Sequence, residues 1–221
     1  MTRTELLRFL GGQIVWRKAA GRPLKVGIDG RCCAGKSMLA DELGQLLSAR
    51  GFNVLRPSVD GFHHPREYRY RQGEYSARGY YEDAFDYEAV KSLLLEPLSG
   101  DEFPVKCREV SFDYRVDLPV DAPPVSVGAN CILLFEGLFL FRREVNAYWD
   151  YRVLLDIDAE TALSRALVRD TVDPPDVTRR KYAARYEPAW QMYAAEENPE
   201  AKADVVIDNR RVDNPQILKG G

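Results

Sequence analysis

The chain has 221 residues, long for one small domain and short for two, and 45% of them are apolar, which excludes wholesale disorder. A net charge of −3 argues against a nucleic-acid scaffold, so no nucleic-acid partner is expected, while small anionic ligands stay open. No window reaches the ~18 consecutive apolar residues of a membrane span, so no membrane partner is expected either.

The N-terminal stretch 1–22 places Leu6, Leu7, Leu10 and Ile14 at helical spacing. Arg8 and Gly11-Gly12 break any signal-peptide run, so it reads as a helix packed on the domain, with an Arg-rich organellar presequence as the competing reading. "PLKVGI" reads as a buried strand, "KSMLADELGQLLSAR" as a helix with Leu39, Leu43 and Leu46 on one face, and "NVLRPSV" as a second strand beside the first, ending at Asp60. From Gly61 to Tyr81 the chain is polar, aromatic and basic without a clear period, a long loop of the kind that is usually functional. "FDYEAVKSLLLEPL" is helical and exits at Glu96-Pro97.

Residues 103–127 alternate in short segments and predict a small β appendage. "CILLFEG" and "YRVLLDID" are apolar strands, "AETALSRALVRD" is a helix, "TVDPPDV" breaks it, helical character resumes through Pro188, and "ADVVIDN" closes the set as a last strand. Near-continuously apolar strands alternating with helices predict an α/β fold: a doubly wound, mostly parallel sheet with helices on both faces, in a single domain. Stretch 159–195 supplies lid helices.

Gly30-Arg31-Cys32-Cys33-Ala34-Gly35-Lys36-Ser37 matches G-x-x-x-x-G-K-[ST], with a strand before it and a helix after it. Glycines let the backbone wrap a phosphate closely, and the helix N-terminus adds its positive dipole end. Lys36 is expected to reach the β- and γ-phosphates and the Ser37 hydroxyl to ligate Mg²⁺, so the loop holds a nucleoside triphosphate. Cys32 and Cys33 sit in that cradle, where a helix N-terminus lowers a thiol's pKa.

Asp60 is read as a base for an attacking hydroxyl or a Mg²⁺ ligand through water, against a plain turn-capping acid. Glu136 ends its strand where it can order the metal's water shell, against a merely hydrated acid at the sheet edge. Arg165 and Arg169 share a helix face and can stabilise charge on the transferring group, or else pair with Glu160 and Asp170. Arg179, Arg180 and Arg185 are more ambiguous, since basic runs are usually solvated. His63 and His64 either touch an acceptor or cap a turn; no third ligand gives them zinc spacing. Arg78, Tyr81 and the rest of the 61–81 stretch are the expected wall of an acceptor pocket, with Asp113 binding a second hydroxyl.

None of the four cysteines, Cys32, Cys33, Cys107 and Cys131, forms a zinc pattern or an evident bridge, which predicts a reducing, cytoplasmic setting.

Together "GRCCAGKS", "SVDGFHHP", "EDAFDYEAV", "LLFEGLFL", "RALVRD" and "RYEPAWQMY…ADVVIDN" resemble the uridine kinase-like branch of P-loop kinases, which includes pantothenate kinase and phosphoribulokinase relatives. The resemblance implies a P-loop NTPase fold and ATP·Mg²⁺-dependent phosphorylation of a hydroxyl on a small metabolite, a nucleoside or sugar. It implies Asp60 as base, Arg165 and Arg169 as lid arginines, and Asn209 beside adenine. Tyr80, Phe112 and Asp117 depart from the uridine kinase pattern at positions that hold the nucleoside. The alternatives are a nucleoside monophosphate kinase, which Arg66, Arg69, Arg71 and Arg78 keep open, and a slowly hydrolysing P-loop regulator. The regulator should carry an N-K-x-D segment, and "VVIDN" is not one. Homo-oligomerisation stays open.

Overall fold

The computed structural model describes residues 1–220. Thr2 starts helix α1 (Arg3–Arg17) with a capping box: its hydroxyl accepts from the Glu5 amide at 3.2 Å, and the Glu5 carboxylate accepts from the Thr2 amide at 2.7 Å. Strand β1 (Leu24–Gly30) is buried at every position, as a strand covered on both faces must be. Helix α2 (Lys36–Ser48) follows, burying Leu39, Leu43 and Leu47; Leu46, expected on that face, is only partly buried.

Strand β2 is short (Asn53–Leu55), and Asp60 lies beyond it in a 3₁₀ turn, Val59–Phe62, rather than at a strand end. The stretch 61–81 is not one open loop either. Helices α3 (Arg66–Arg69) and α4 (Ala77–Asp83) punctuate it, the second capped by the Ser76 hydroxyl on the Gly79 amide. Helix α5 (Tyr87–Val90), capped by Asp86, runs into a π turn at Lys91–Leu95.

The appendage predicted for 103–127 is two small antiparallel ribbons, β3 (Val105–Cys107) with β6 (Val125–Val127), and β4 (Phe112–Asp113) with β5 (Leu118–Pro119). Strands β7 (Cys131–Glu136) and β8 (Tyr151–Asp156) follow, then helices α6 (Ala159–Arg169) and α7 (Pro175–Lys181). A second π turn, Tyr182–Tyr186, leads into α8 (Glu187–Glu197). In this turn the Glu187 amide reaches back to the Tyr182 carbonyl. That wide winding ends just before Pro188, which falls in the first turn of α8, where its missing N–H costs little. Helix α9 (Pro199–Lys202), β9 (Val205–Asp208) and β10 (Gln216–Lys219) complete the described chain.

The sheet order is β10-β9-β8-β1-β7-β2, parallel except for β10, an antiparallel edge strand that the sequence pattern did not announce. The second strand pairs with β7, not with β1 as expected. Past β2 the chain still follows β7, for Ser58 bridges Glu136, and this carries Asp60 to the carboxyl edge of the sheet. One face of the sheet packs against α1, α2 and α6 through Leu10, Leu39, Leu43 and Ala162. The other packs against 84–98 and α8 through Val90, Leu94, Trp190 and Tyr193. Within 159–195, α6 and the π turn line the cleft through Arg165, Arg169, Arg185 and Tyr186, whereas α8 belongs to this core layer. No helix among the described residues is long and apolar enough to cross a membrane.

Candidate active site

At the carboxyl end of β1 the backbone turns through two glycines whose φ angles are 154° (Gly30) and 94° (Gly35). A Cβ on Gly30 would come within 2.5 Å of the Leu155 carbonyl oxygen, and one on Gly35 within 2.8 Å of the Asn209 amide nitrogen. Only glycine fits either place. Gly35 begins α2 without a side-chain cap, so the first-turn amides are left to an incoming anion. Lys36 is buried, its Nζ donating to the carbonyls of Gly30 at 2.8 Å and Arg31 at 2.7 Å. The Ser37 hydroxyl donates to Glu136 Oε1 at 3.0 Å.

Beneath the loop, Asp29 is fully buried and accepts from the amides of Gly30, Phe139 and Leu140 and from the Tyr193 hydroxyl, at 2.5 to 3.1 Å. Burial pushes its carboxyl up to about 6, against the lowering effect of those donors. The sequence reading missed this residue. Its signal was an acid inside an apolar strand, where only a satisfied hydrogen-bond network is tolerated.

The loop opens on a cleft of about 430 Å³ lined also by Asp60, Glu136, Arg165 and Arg169. Asp60 faces the cleft with an exposed carboxylate, yet the surrounding walls desolvate it and raise its pKa, against the lowering charges of Lys36, Arg169 and Arg115. Arg165 spends its guanidinium on carbonyls, those of Cys33 at 3.1 Å, Asn209 at 2.8 Å and Arg210 at 3.0 Å. Arg169 pairs with its neighbour Asp170 at 2.6 Å and keeps 62% of its side chain exposed.

Other expected residues lie elsewhere. Asn209 is fully buried behind the loop, donating to the Ala34 carbonyl at 2.7 Å, so its side chain braces the loop rather than lying open to adenine. Arg31 turns away to Glu187 at 3.1 Å and the Ile157 carbonyl at 2.6 Å, which leaves only its backbone to the cradle. Arg78 is exposed and pairs with Glu82 at 2.7 Å, outside the cleft. Tyr81 is buried against Phe139 and Arg142, and its neighbour Tyr80 is the tyrosine that lines the cleft. Asp113 accepts from the Arg115 amide at 2.9 Å and stands outside; Tyr114 takes the place at the wall. Asp117 ties down Arg69 at 3.0 Å.

His63 does line the cleft, its Nδ1 3.0 Å from the Asp60 carbonyl and its ring against Phe85 and Tyr114. Burial lowers its pKa to about 4, so it stands neutral at physiological pH. The thiol expectation fails at Cys32: burial raises its pKa, outweighing Lys36, and its Sγ lies 3.9 Å from the Tyr80 hydroxyl. Arg69 and Arg185, buried at the far end of the cleft with Tyr70, were legible only as members of a basic run. All four cysteines are unpaired.

The donors around Lys36 are hard oxygens: the Ser37 hydroxyl and the Glu136 carboxylate in contact, with Asp60 on the same cleft. So few protein oxygens would suit Mg²⁺, which keeps much of its water shell and binds one or two carboxylates.

The family model described as Phosphoribulokinase / Uridine kinase family matches residues 26–209. Uridine-cytidine kinase 2-B of Danio rerio is 26% identical over 210 residues, covering 89% of this chain and 76% of that protein. Uridine-cytidine kinase B of Dictyostelium discoideum is 24% identical over 152 residues, covering 68% of this chain; the match spans 60% of that relative's length. Among solved structures, a "possible uridine kinase" from Bacillus stearothermophilus superposes with a TM-score of 0.71 at 27% identity, covering 92% of this chain and 97% of that one.

Proposed function

The chain belongs to the phosphoribulokinase/uridine kinase family, and from that premise we propose that it transfers the γ-phosphoryl group of ATP to a hydroxyl of a small metabolite of nucleoside or sugar size. The observation that carries this reading is the gathering of Lys36, Ser37, Asp60, Glu136 and Arg169 around one cleft at the carboxyl edge of the sheet.

In this reading the triphosphate lies on the loop amides and the N-terminus of α2, and Lys36 exchanges its two carbonyl partners for phosphate oxygens. Ser37 and Glu136 would hold Mg²⁺, which when bound offsets the negative charge of the phosphates, and Asp60 is left to the acceptor. Asp60 takes the proton of the acceptor hydroxyl as its oxygen bonds to the γ-phosphorus. The bond from that phosphorus to the bridging oxygen breaks, and ADP leaves. The raised pKa of Asp60 makes it a stronger base than an ordinary aspartate, which favours proton transfer. Arg169, itself exposed and paired only with the adjacent Asp170, is free to turn onto the transferring group, while Arg165 holds the loop to the end of β9. The unpaired thiols support a reducing, cytoplasmic setting.

The test is ADP release over a panel of nucleosides, sugars and hydroxy acids. Lys36→Ala should lower acceptor-dependent release by ~10³-fold or more in a protein that keeps its melting temperature. Near-normal turnover in that folded variant would refute the kinase reading.

A further inference from the structure

The far end of the cleft carries more positive charge than phosphoryl transfer needs. Arg185 is 5% exposed and Arg69 is 6% exposed, and both line the cavity. Arg185 donates one bond, to the Glu74 carbonyl, and lies over the rings of Tyr70 at 4.7 Å and Tyr80 at 4.8 Å. No carboxylate among the described residues forms an ion pair with it, and its Nε is buried without a partner. Arg69 shares one terminal nitrogen with Asp117 at 3.0 Å, and its Nε is likewise unpartnered. A guanidinium held out of water without a counter-charge is costly, and tyrosine faces offset only part of that cost.

Arg185, with no counter-charge, and Arg69, whose one ion pair leaves its Nε open, share a wall with the neutral rings of His63 and Tyr114 beside Asp60, and describe a site in which the missing counter-charge arrives with the ligand. The geometry points to an acceptor that is itself an anion: a hydroxy compound whose carboxylate or phosphate monoester is held by Arg185 and Arg69 while its hydroxyl meets Asp60. This rests on the kinase reading and narrows its substrate class. Guanidinium forks suit both oxyanions, so the two are separated by experiment.

The experiment compares matched acceptors that differ by the anionic group: glycerol with glycerate, fructose with fructose 6-phosphate, and uridine with uridine 5′-monophosphate. The reading is kcat/KM for ADP release by the intact chain. In at least one pair the charged member is expected to be preferred tenfold or more, and the pair in which this happens names carboxylate or phosphate. Arg185→Gln should cut that preference at least tenfold, Arg185→Lys should retain part of it, and Arg69→Gln should reduce it less. A merely structural role for Arg185 would lower both members of a pair equally. Neutral members equal to or better than their charged partners would overturn the proposal, as would a folded Arg185→Gln and a folded Arg69→Gln that leave the preference unchanged. If neither variant folds, the preference of the wild-type chain decides alone. Failure of the underlying kinase reading looks different: no acceptor of the six raises ADP release above the Lys36→Ala background, and this proposal falls with it.

Discussion

The two ends of the cleft are built in opposite ways. At the phosphate end, one run of eight residues, Gly30 to Ser37, supplies the turn, the amides, the lysine and the hydroxyl. At the acceptor end the wall is assembled from His63, Arg69, Tyr80, Tyr114 and Arg185, which come from three separate stretches of the chain. In the proposed reading, phosphate binding is therefore a property of local backbone geometry, which tolerates little change, and acceptor recognition is a property of packing between elements, in which each contributor can vary alone.

Asp60 sits where the two ends meet, and its removal should have the largest effect of the changes that probe this division. Asp60→Asn keeps size and hydrogen bonding but removes the proposed base, and should lower acceptor phosphorylation by ~10²-fold or more with ATP affinity preserved. The sign of the pH effect follows from the raised pKa. Protonated Asp60 cannot take a proton, so wild-type kcat/KM falls as pH drops through a value above the ordinary aspartate range, and that acid limb should vanish in Asp60→Asn. If excess Mg²⁺ restores Asp60→Asn instead, Asp60 belongs to the phosphate end as a metal-shell acid.

The two lid arginines sharpen the division further. Arg169→Ala should lower kcat by about 10- to 100-fold with little change in ATP affinity, because its charge is free to meet the transferring group. Arg165→Ala, which loses three carbonyl contacts to the loop and the end of β9, should weaken ATP binding and lower the melting temperature. Matching kinetic losses without any loss of stability would mean that both arginines act on the phosphate.

The smallest effect is expected at the adjacent thiols. Cys32 is desolvated toward Tyr80 at the acceptor end, while Cys33 lies 3.3 Å from the Tyr182 hydroxyl under the lid. Iodoacetamide should label Cys32 more slowly than a free cysteine, and ATP·Mg²⁺ should slow labelling of Cys33 a few-fold, as read by peptide mass spectrometry. Rapid labelling of Cys32 would show that its partly buried thiol opens to solvent.

What the sequence disclosed follows the same division. The G-x-x-x-x-G-K-S run announced its strand, turn and helix because each residue type is demanded by the backbone beside it. The places of Glu136 and Arg165 on the cleft were legible because strand ends and helix faces can be read from local period. The order of the strands was not legible, since β2 pairs with β7 across more than seventy intervening residues and nothing local marks that choice. Arg78, Tyr81 and Asp113 were placed on the wall by composition alone. A shift of one residue along α4 sends Tyr80 into the cleft and Tyr81 into the core. Asn209 and Arg31 show the remaining gap: a motif names a position, but the side chain there goes where a partner such as the Ala34 carbonyl or Glu187 awaits it.

The π turn at Tyr182–Tyr186 carries Arg185, Tyr182 and Tyr186 to the cleft and its edge just before the helix resumes as α8. A helix advances about 100° per residue, so such a turn is in effect one inserted residue absorbed without breaking the rod. Deleting one residue here, Ala183 or Ala184, would restore ordinary winding and swing the preceding side chains about a quarter-turn relative to α8, whose Trp190 and Tyr193 stay anchored in the core. In the proposed reading, acceptor preference in this scaffold can thus be rewritten by length as well as by substitution: a single-codon insertion or deletion re-aims several side chains at once, and reaches the phosphate loop through the contact of Tyr182 with Cys33.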